Sequence, residues 1–544
     1  ADAPAKSKWD RGSSSTERFA PLVHQDPAPG SAEEAARDPR WVGGSAARPM
    51  NCFLCHSTEV DASARARALQ DGAFAWEAAA TLAGTLVDRG ANGAWRYRAE
   101  LFADDGSVKA SALGLGEPTS ESCQRCHGKL ETEVGGAVAM RPLEGLSTAH
   151  ATGFVYSGAF IHDSALNVAD KAAKTRPFDV HAERLLECSD CHHSVDNPAF
   201  RAELDETRPQ HLRFDARREG VGEWVKRPSH ELATGAAAQS YLGHNVRNSM
   251  RRCGDCHAAE ETHAWLPYAK RHFDSLACET CHVPQIDAPI LETVDWTVMT
   301  SSTSPRTVFR GPDASPSDVD VLRPPFRPVW LNRSIDGAEK ITPNNLVTQV
   351  FWVADEPEAP VSVDVLRTVF FEPDGSFQQR WVMLFDLDGS GEVERAELAL
   401  TTEARVAAVR KALEAAGVRE PRIVAEVEAF GLHHGVAGKE HATKACDSCH
   451  AEDAPATEKL TLARVLPPSA EVTWTSDLQA AGRLDAAGGR LSFEPDTRAT
   501  GRYVLGQHRF AWVDAFGIAA VALVVLGALG HASARILAGR RSAS

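Results

Sequence analysis

The sequence predicts a mainly α-helical fold with an irregular core, a β-rich insertion and one C-terminal transmembrane helix. The first observation is that Cys-x-x-Cys-His occurs six times, five times before residue 283 and once after residue 440. The second is that the stretch between the fifth and the sixth motif alternates apolar and polar residues, as strands do. The third is a run of twenty uncharged residues near the C-terminus, which is long enough to cross a bilayer.

These observations divide the 544 residues into five segments. We expect an extended N-terminal segment at 1–48, a domain built around five motifs at 49–290, and a β-rich insertion at 291–440. The sixth motif and a small β-module follow at 441–509, and a transmembrane helix with a cytoplasmic tail occupies 510–544.

The repeated motif uses every cysteine, because two cysteines in each of six motifs account for all 12. This spacing is the attachment signature of c-type haem: both thiols form thioethers with the vinyl groups, and the histidine becomes the proximal ligand of the iron. The sequence therefore predicts six covalently attached haem c groups and a multihaem cytochrome c core. The cysteines are Cys52, Cys55, Cys123, Cys126, Cys188, Cys191, Cys253, Cys256, Cys278, Cys281, Cys446 and Cys449, and the histidines that follow the pairs are His56, His127, His192, His257, His282 and His450.

Zinc knuckles and redox-active dithiols also use Cys-x-x-Cys pairs. Neither requires a histidine directly after each pair, so six such histidines favour haem. An iron without a second ligand would bind water or a substrate. Lys129, Met50, Met140 and Met250 are other possible ligands, but none has a spacing that demands this role, and we assign no catalytic residue.

The second axial ligand of each iron is expected to be a histidine. Six proximal ligands taken from 21 histidines leave 15. Three candidates precede a motif by one to two helical turns, a fourth lies between two motifs, and two lie in loops. A surface histidine is the ordinary alternative at each position. The candidates are His181, His272, His441, His263, His230 (favoured over His211) and His434, with His193 in reserve.

Charge and the N-terminal residues indicate the compartment. The formal net charge of −16 argues against nucleic-acid binding, which needs a basic surface, and suits docking to basic redox partners. The sequence starts at Ala1 without a methionine, as after removal of a signal peptide, and c-type haem is attached outside the cytoplasm. We therefore expect a periplasmic location.

Helices are expected between the first five motifs. The stretches Ala62–Leu86, Phe178–His192 and His263–His272 favour helix, whereas Trp95–Phe102 alternates like a short strand.

In the insertion, alternation predicts strands at Leu346–Val353, Val361–Phe371, Phe377–Phe385 and Arg422–Phe430, and an amphipathic pattern predicts a helix at Glu403–Ala416.

A twelve-residue loop in the insertion matches the EF-hand calcium loop, with oxygen ligands at alternating positions and Gly391 at the turn. A helix at Ala396–Leu400 should follow, and the sequence offers no second loop to pair with this one. We therefore expect bound Ca²⁺ in a structural role. The predicted ligands are Asp386, Asp388, Ser390, Glu392 (through its carbonyl), Glu394 and Glu397.

After the sixth motif, short strands are expected at Leu460–Val465, Glu471–Thr475, Arg490–Phe493 and Arg502–Leu505. The transmembrane helix is predicted at Ala515–Ala534.

Arginines cluster after this helix and Trp512 precedes it, so the positive-inside rule places the C-terminus in the cytoplasm and the motifs in the periplasm.

Three stretches resemble a known family: Phe178–Arg184, Trp265–Tyr268 and the end from Trp512 to His531. There the chain resembles the membrane-anchored periplasmic multihaem c-type cytochromes of bacteria and, loosely, the octahaem tetrathionate reductase and hydroxylamine oxidoreductase group. The resemblance implies a membrane b-type cytochrome, or another quinol-linked membrane subunit, as partner. The enzymes of that group carry eight haems and an active-site haem with an unusual ligand, whereas this chain has six motifs and no such ligand motif.

The predicted function is electron transfer between a quinol-linked membrane partner and periplasmic cytochromes or a reductase. The alternative is a periplasmic multihaem reductase that acts on a nitrogen or sulfur oxyanion at an open haem. A structural or haem-storage protein is a third class, but it would need neither six sites nor a membrane anchor.

Overall fold

The computed structural model contains two kinds of architecture. Short helices carry the Cys-x-x-Cys-His motifs in residues 53–282 and 446–450, which we call the motif region, and long strands dominate residues 291–431, which we call the sheet region. The residues described are 53–61, 64–65, 68, 76–90, 93–102, 109, 114, 118–127, 129–132, 138–141, 157–192, 251–301, 304–313, 318–335, 337–355, 359–361, 363–451, 454, 457–474, 476–497, 504, 507 and 511–541.

Strands and helices alternate along the described part of the chain. The strands are β1 (Val87–Arg89), β2 (Trp95–Tyr97), β3 (Lys129–Thr132), β4 (Val138–Arg141), β5 (Leu291–Met299), β6 (Pro305–Phe309), β7 (Val329–Ile335), β8 (Ala338–Ala354), β9 (Ala359–Pro360), β10 (Arg422–Gly431), β11 (Leu460–Ala463), β12 (Glu471–Trp474), β13 (Gly482–Ala487) and β14 (Arg490–Pro495). The α-helices are α1 (Phe53–His56), α2 (Glu77–Ala80), α3 (Ser120–His127), α4 (Val180–Glu183), α5 (Cys188–Cys191), α6 (Ala259–Thr262), α7 (Ala269–Ser275), α8 (Cys278–His282), α9 (Val363–Phe370), α10 (Gln379–Phe385), α11 (Glu403–Ala415), α12 (Asp447–His450), α13 (Ser476–Gln479) and α14 (Ala511–Arg541). Short 3₁₀ turns lie at Ala99–Leu101, Ile161–Asp163, Lys171–Ala173 and Cys253–Asp255.

A seven-stranded sheet is the largest unit of the fold. Its strand order is β12-β10-β8-β5-β6, and β7 and β9 also pair with β8. Strand β8 is 17 residues long and runs antiparallel to β10, from Arg422 opposite Val353 to Gly431 opposite Asn344. All nine residues of β5 are buried, as expected for a strand covered on both faces.

Helices cover one face of this sheet and a second sheet covers the other. On the helical face, Trp352 of β8 belongs to the same apolar cluster as Phe370 of α9 and Phe385 of α10. On the opposite face, the three-stranded sheet β11-β14-β13 packs through Leu462 and Phe493.

The expectation of a mainly α-helical fold is wrong. The structure contains 33% helix and 26% strand, because the sheet region is larger and more regular than expected. In the motif region the expected long helices are interrupted. Leu185, at φ 59°, separates α4 from α5, and Tyr268, at φ 53°, precedes α7, so neither Phe178–His192 nor His263–His272 is one helix. A left-handed backbone conformation cannot continue a right-handed helix.

Two predicted strands are also wrong. Val361–Phe371 and Phe377–Phe385 contain helices α9 and α10. Their buried residues recur three and four positions apart, as in Leu366, Val369 and Phe370, which is the spacing of one helix face.

Other predicted elements of the insertion are confirmed: Leu346–Val353 lies within β8, Glu403–Ala416 matches α11 and Arg422–Phe430 matches β10. The helix expected at Ala396–Leu400 is wrong, because this stretch forms a turn without a helix.

Predictions near the two ends of the chain have mixed outcomes. In Trp95–Phe102, strand β2 ends at Tyr97 and a 3₁₀ turn follows. The single helix expected at Ala62–Leu86 is wrong at its C-terminal end, because helix α2 ends at Ala80 and turns follow, whereas 62–63, 66–67 and 69–75 lie outside the described residues. Most of Arg502–Leu505 also lies outside the described residues.

Strands β11, β12 and β14 lie where three short strands were expected.

The last helix is long and apolar. Helix α14 has 31 residues, and Ala511–Gly539 within it is long and apolar enough to cross a membrane. It is fully exposed on the protein, as a membrane-spanning helix must be when lipid is its only neighbour.

Candidate functional site

The motifs lie on or beside very short helices. Helices α5, α8 and α12 consist almost wholly of motif residues, and the fourth motif begins in the 3₁₀ turn Cys253–Asp255. In a helical turn, cysteines three positions apart lie on one face, so both thiols of a motif can reach the same group. Within the described residues these cysteines form no disulfide: Cys123, Cys188, Cys191, Cys253, Cys256, Cys278, Cys281, Cys446 and Cys449.

Four motif histidines each face a second imidazole ring. Every one of these second rings belongs to a histidine that the sequence nominated as a distal ligand. The partners come from other segments of the chain, so the pairing is a product of the tertiary fold. The pairs and their ring-centroid separations are His181–His257 at 6.2 Å, His192–His434 at 6.0 Å, His263–His282 at 6.0 Å and His272–His450 at 6.3 Å.

These separations fit two imidazoles on opposite sides of one metal ion. A bond from a first-row metal to an imidazole nitrogen is about 2.0–2.1 Å long, and the ring centre lies about 1.1 Å beyond that nitrogen. Two opposed ligands would therefore place their ring centroids about 6.3 Å apart. Direct stacking of two imidazoles would not require this spacing in all four pairs. The residues present therefore fit the axial ligand pair of a haem iron.

Three of the paired imidazoles have their Nδ1 atoms bonded to backbone carbonyl oxygens. Such a bond makes Nδ1 the donor and leaves the lone pair on Nε2, which is how metal-binding histidines are usually oriented. The acceptors are the carbonyl oxygens of Ala259 for His263 (2.8 Å), Tyr268 for His272 (3.3 Å) and Ala437 for His282 (3.0 Å).

Asp179 is a buried carboxylate that connects two of the pairs. It accepts backbone hydrogen bonds from His181 (2.8 Å), Gly435 (2.8 Å) and Val436 (2.9 Å), and the His181 Nδ1 lies 3.4 Å away. Burial alone raises the pKa of Asp179, but hydrogen bonds from His181 and Val436 lower this pKa overall. The carboxylate therefore stays ionised and holds the backbone beside His434 next to His181.

Residues 433–437, which we call the bridging segment, contact two motifs, the third and the fifth. His433 Nδ1 pairs with Glu279 of the fifth motif at 2.9 Å, His434 faces His192 of the third, and the Ala437 backbone N–H donates to the His282 carbonyl at 2.7 Å. The segment directly follows β10, so the seven-stranded sheet sets its position. At Gly431, the last residue of β10, an added Cβ would lie 2.7 Å from His433 Nε2, so a larger residue would require the His433 ring to shift.

His434 is uncharged in this setting. Burial, together with the neighbouring His192, lowers its pKa to about 3. A neutral imidazole is the form that binds metals, so the folded chain presents His434 in the state that a ligand requires.

Other nominated residues are not brought to a motif. His441 is exposed, its backbone N–H donates to the Gly438 carbonyl, and within the described residues no ring contact joins it to another imidazole. His56 lies on α1 and is exposed. Several residues lie outside the described residues, or have side chains that do: Cys52, Cys55, Cys126, His127, Lys129, Met50, Met140, Met250, His193, His211 and His230.

The predicted calcium loop brings together some of its nominated ligands. The carboxylates of Asp386, Asp388 and Glu397 lie within 4.8 Å of one another. Asp386 also accepts the Gly391 backbone N–H at 2.8 Å, and Gly391 has the positive φ that its position in the turn requires.

The other three nominated calcium ligands are not part of this carboxylate group. The Ser390 hydroxyl donates to the Glu392 carbonyl at 3.2 Å, and the Glu394 backbone N–H donates to Glu397 at 3.0 Å.

Sequence reasoning missed the residues that orient the histidines. Asp179 had a usable signal, because an aspartate two residues before a helical histidine is a typical N-cap, and its side chain caps α4 in this way. Glu279 and Ala437 had none, because their contacts join segments more than 150 positions apart.

Comparisons with known proteins add little. No family model matches the chain, and no curated protein matches it. Among solved structures, an octahaem cytochrome c from Shewanella oneidensis aligns with a TM-score of 0.30 and 14% identity, over 79% of this chain and 80% of that one. A TM-score of 0.30 does not establish a shared fold, so the residues of this chain carry the functional argument.

Proposed function

We propose that this protein is a membrane-anchored periplasmic cytochrome that binds six c-type haems and carries electrons between a membrane partner and soluble periplasmic partners. The observation that carries the proposal is the set of four imidazole pairs with centroids 6.0–6.3 Å apart, each containing a motif histidine. The motif assigns the cysteines to covalent attachment, and the pairs assign the histidines to the two axial positions.

Haem, when bound, supplies a one-electron carrier whose iron alternates between the ferric and ferrous states. The chain's own residues hold the group and set its properties. The cysteines would tether it and the paired histidines would hold it, while backbone carbonyls that accept from Nδ1 make the imidazoles more basic ligands.

Apolar side chains beside the pairs fit a large apolar group. Leu185 is 85% exposed, Trp265 is 54% exposed and Tyr268 is 77% exposed. All three lie within a few residues of a paired histidine. Large exposed apolar side chains beside such a pair are consistent with a surface that an apolar group covers.

A carrier is favoured over a catalyst because both axial positions are assigned at four sites. An iron with two strong imidazole ligands has no position left for an oxyanion. The positively charged end of α14 supports an orientation with the motifs in the periplasm. A quinol-linked membrane subunit, such as a b-type cytochrome, would then exchange electrons with the chain, and soluble cytochromes or a reductase would exchange them on the other side.

Mass spectrometry of the full chain, made in a host that attaches c-type haem, tests this proposal. We expect six haem increments, and five for the double variant Cys253→Ala/Cys256→Ala. Gly254→Ala is the matched control, because an added Cβ at this position meets no atom within 4 Å and both cysteines remain. A mass equal to that of the bare polypeptide would contradict the proposal.

Electron paramagnetic resonance of the oxidised protein tests the carrier role separately. We expect low-spin ferric signals at every site. A large high-spin signal would indicate an iron with an open position and would favour the alternative of a reductase for a nitrogen or sulfur oxyanion.

We also propose that the loop at Asp386–Glu397 binds Ca²⁺ as a structural ion. The three converging carboxylates supply hard oxygen ligands, and the Glu392 carbonyl would supply another. Calorimetric titration of the full chain with Ca²⁺ should give one site. Glu397→Gln should weaken binding at least tenfold, whereas Glu392→Gln, which keeps the carbonyl, should not. Equal effects of the two variants would contradict this assignment.

A further inference from the structure

We infer that the six motif sites lie in one row in chain order, and that the sixth site is the end of the row next to the membrane. This inference rests on the proposed function, because it concerns the path that electrons take between the sites. The test below separates its failure from a failure to bind haem.

Imidazole pairs between successive motifs define the row. His181, seven residues before the third motif, faces His257 of the fourth, and His263, six residues after the fourth motif, faces His282 of the fifth. His272, just before the fifth motif, faces His450 of the sixth. Each of these three pairs joins two motifs that are consecutive in the sequence, from the third to the sixth.

Backbone contacts give the same order. The Cys188 backbone N–H donates to the Ser120 hydroxyl at 2.9 Å, which joins the third motif to the helix of the second. The Arg251 N–H donates to the Cys191 carbonyl at 2.9 Å, next to the fourth motif, and the Thr443 N–H donates to the Cys281 carbonyl at 2.9 Å, next to the sixth. Helix α1, with the first motif, packs against α3, with the second.

The sixth motif is hydrogen-bonded to the segment that directly precedes helix α14. The buried Gln507 side chain donates from Nε2 to the Cys449 carbonyl at 2.7 Å. Helix α14 begins at Ala511, only four residues later. Four residues of extended chain span at most about 14 Å, so the sixth motif lies close to the point where the chain enters the membrane.

The row therefore has two different ends. Electrons exchanged with a membrane partner pass through the sixth site, and the first site lies at the end that remains for a soluble partner. The four sites between them transfer electrons in order. Direction of flow is not part of this inference, because the arrangement serves either direction.

A spin label beside the membrane helix tests which site is nearest. Val513→Cys introduces the single free thiol of the mature chain, because haem attachment uses all 12 native cysteines. The labelled full chain is placed in a lipid nanodisc, and the relaxation rate of the label is measured during a redox titration. Ferric haem accelerates this relaxation with a steep distance dependence, so the nearest site dominates.

His272→Met identifies that site. His272 faces His450 of the sixth motif, and replacing a histidine ligand by methionine raises the reduction potential of a haem. We expect the titration of label relaxation to shift to higher potential in this variant. The matched control is His181→Met, which makes the same change opposite His257 of the fourth motif and should leave the label titration unchanged.

Three results would overturn the inference. The label titration could follow His181→Met instead of His272→Met, or it could follow neither while His272→Met still shifts one haem in the optical titration. If His272→Met loses its haem, the label should lose most of its relaxation enhancement, and retention of the enhancement would again overturn the inference. A chain whose mass shows no haem fails the proposed function instead.

Discussion

The sheet region and the motif region are stabilised in different ways. In the sheet region, the large side chains of Phe351, Trp352 and Trp381 are almost completely buried in one continuous cluster. In the motif region, helices are four to eight residues long, and Trp265 and Tyr268 are exposed. Side-chain burial at about 25 cal/mol per Å² can stabilise the first region without help. The motif region instead depends on histidine pairs, backbone bonds and the group that we propose it binds.

The two regions meet where the sheet positions the histidines. Helix α8 of the fifth motif docks on β8, because the Thr280 hydroxyl donates to the Ile341 carbonyl at 2.7 Å. The bridging segment continues from β10 to His434. The sheet region therefore serves as a rigid support for sites that have little packing of their own.

The largest expected effect comes from preventing haem attachment. The full chain produced without the attachment machinery should be cut rapidly by protease within residues 53–282, while a fragment covering the sheet region persists. The reason is that the short motif helices lack a sufficient apolar core. Limited proteolysis followed by mass spectrometry measures the difference, with the haem-loaded chain as control. Equal resistance of both regions in the haem-free chain would contradict the comparison.

Trp352→Ala should destabilise the sheet region by about 3–5 kcal/mol, as removal of a fully buried aromatic side chain usually does. The variant also leaves the Thr297 carbonyl without the indole N–H that donates to it at 3.0 Å. Denaturant unfolding followed by circular dichroism measures the loss. Trp265→Ala is the control in the motif region and should cost much less, because that side chain is exposed; a similar cost for both would count against the comparison.

Asp179→Asn should affect the motif region selectively. The new amide N–H₂ would replace the oxygen that accepts the Gly435 and Val436 N–H groups, at a cost of about 1–3 kcal/mol. Loss of the negative charge should also raise the reduction potential of the haem that we propose His181 ligates. Redox titration with optical detection measures this shift. Asp163→Asn, at an exposed position beside His162, should leave the titration unchanged, and a shift there as well would argue against a specific role for Asp179.

The smallest expected effect is a gain in stability from Asp295→Asn in the sheet region. Burial raises the pKa of Asp295, so the folded state holds its proton more tightly than the unfolded state does. Stability contributed by this group is therefore lost as the pH rises through the folded pKa. The asparagine variant should be more stable than the parent by about 1 kcal/mol at pH 7, and the gain should vanish towards pH 4.

Urea unfolding at several pH values measures this difference. In the structure, the Thr297 N–H donates to Asp295 Oδ1 at 2.8 Å. The amide oxygen of asparagine can accept the same hydrogen bond, so packing is preserved. A gain that does not change with pH would mean that burial of the charge is not its cause.

Residue spacing and alternation within short stretches of sequence predicted some features of the structure but not others. The motifs, the membrane helix and strand β10 follow from spacing and alternation within short windows. Strands were wrongly expected at α9 and α10 because β-branched and aromatic residues hid a helical spacing, visible in Leu366, Val369 and Phe370. The nomination of distal histidines used proximity to motifs, which suggests candidates but cannot say which motif each will face. Which motif a distal histidine faces depends on the tertiary fold, for example on where β10 places the bridging segment. A short stretch of sequence does not contain that information.

The contact between His192 and His434 has a consequence for biogenesis. These residues are 434 − 192 = 242 positions apart. On the proposed function, the chain would be exported starting from its N-terminus, so Cys188 and Cys191 would be available for haem attachment long before His434. A nascent chain halted before residue 434 would then hold the third haem with one imidazole only. The order in which haems are attached would therefore differ from the order in which they gain a second imidazole.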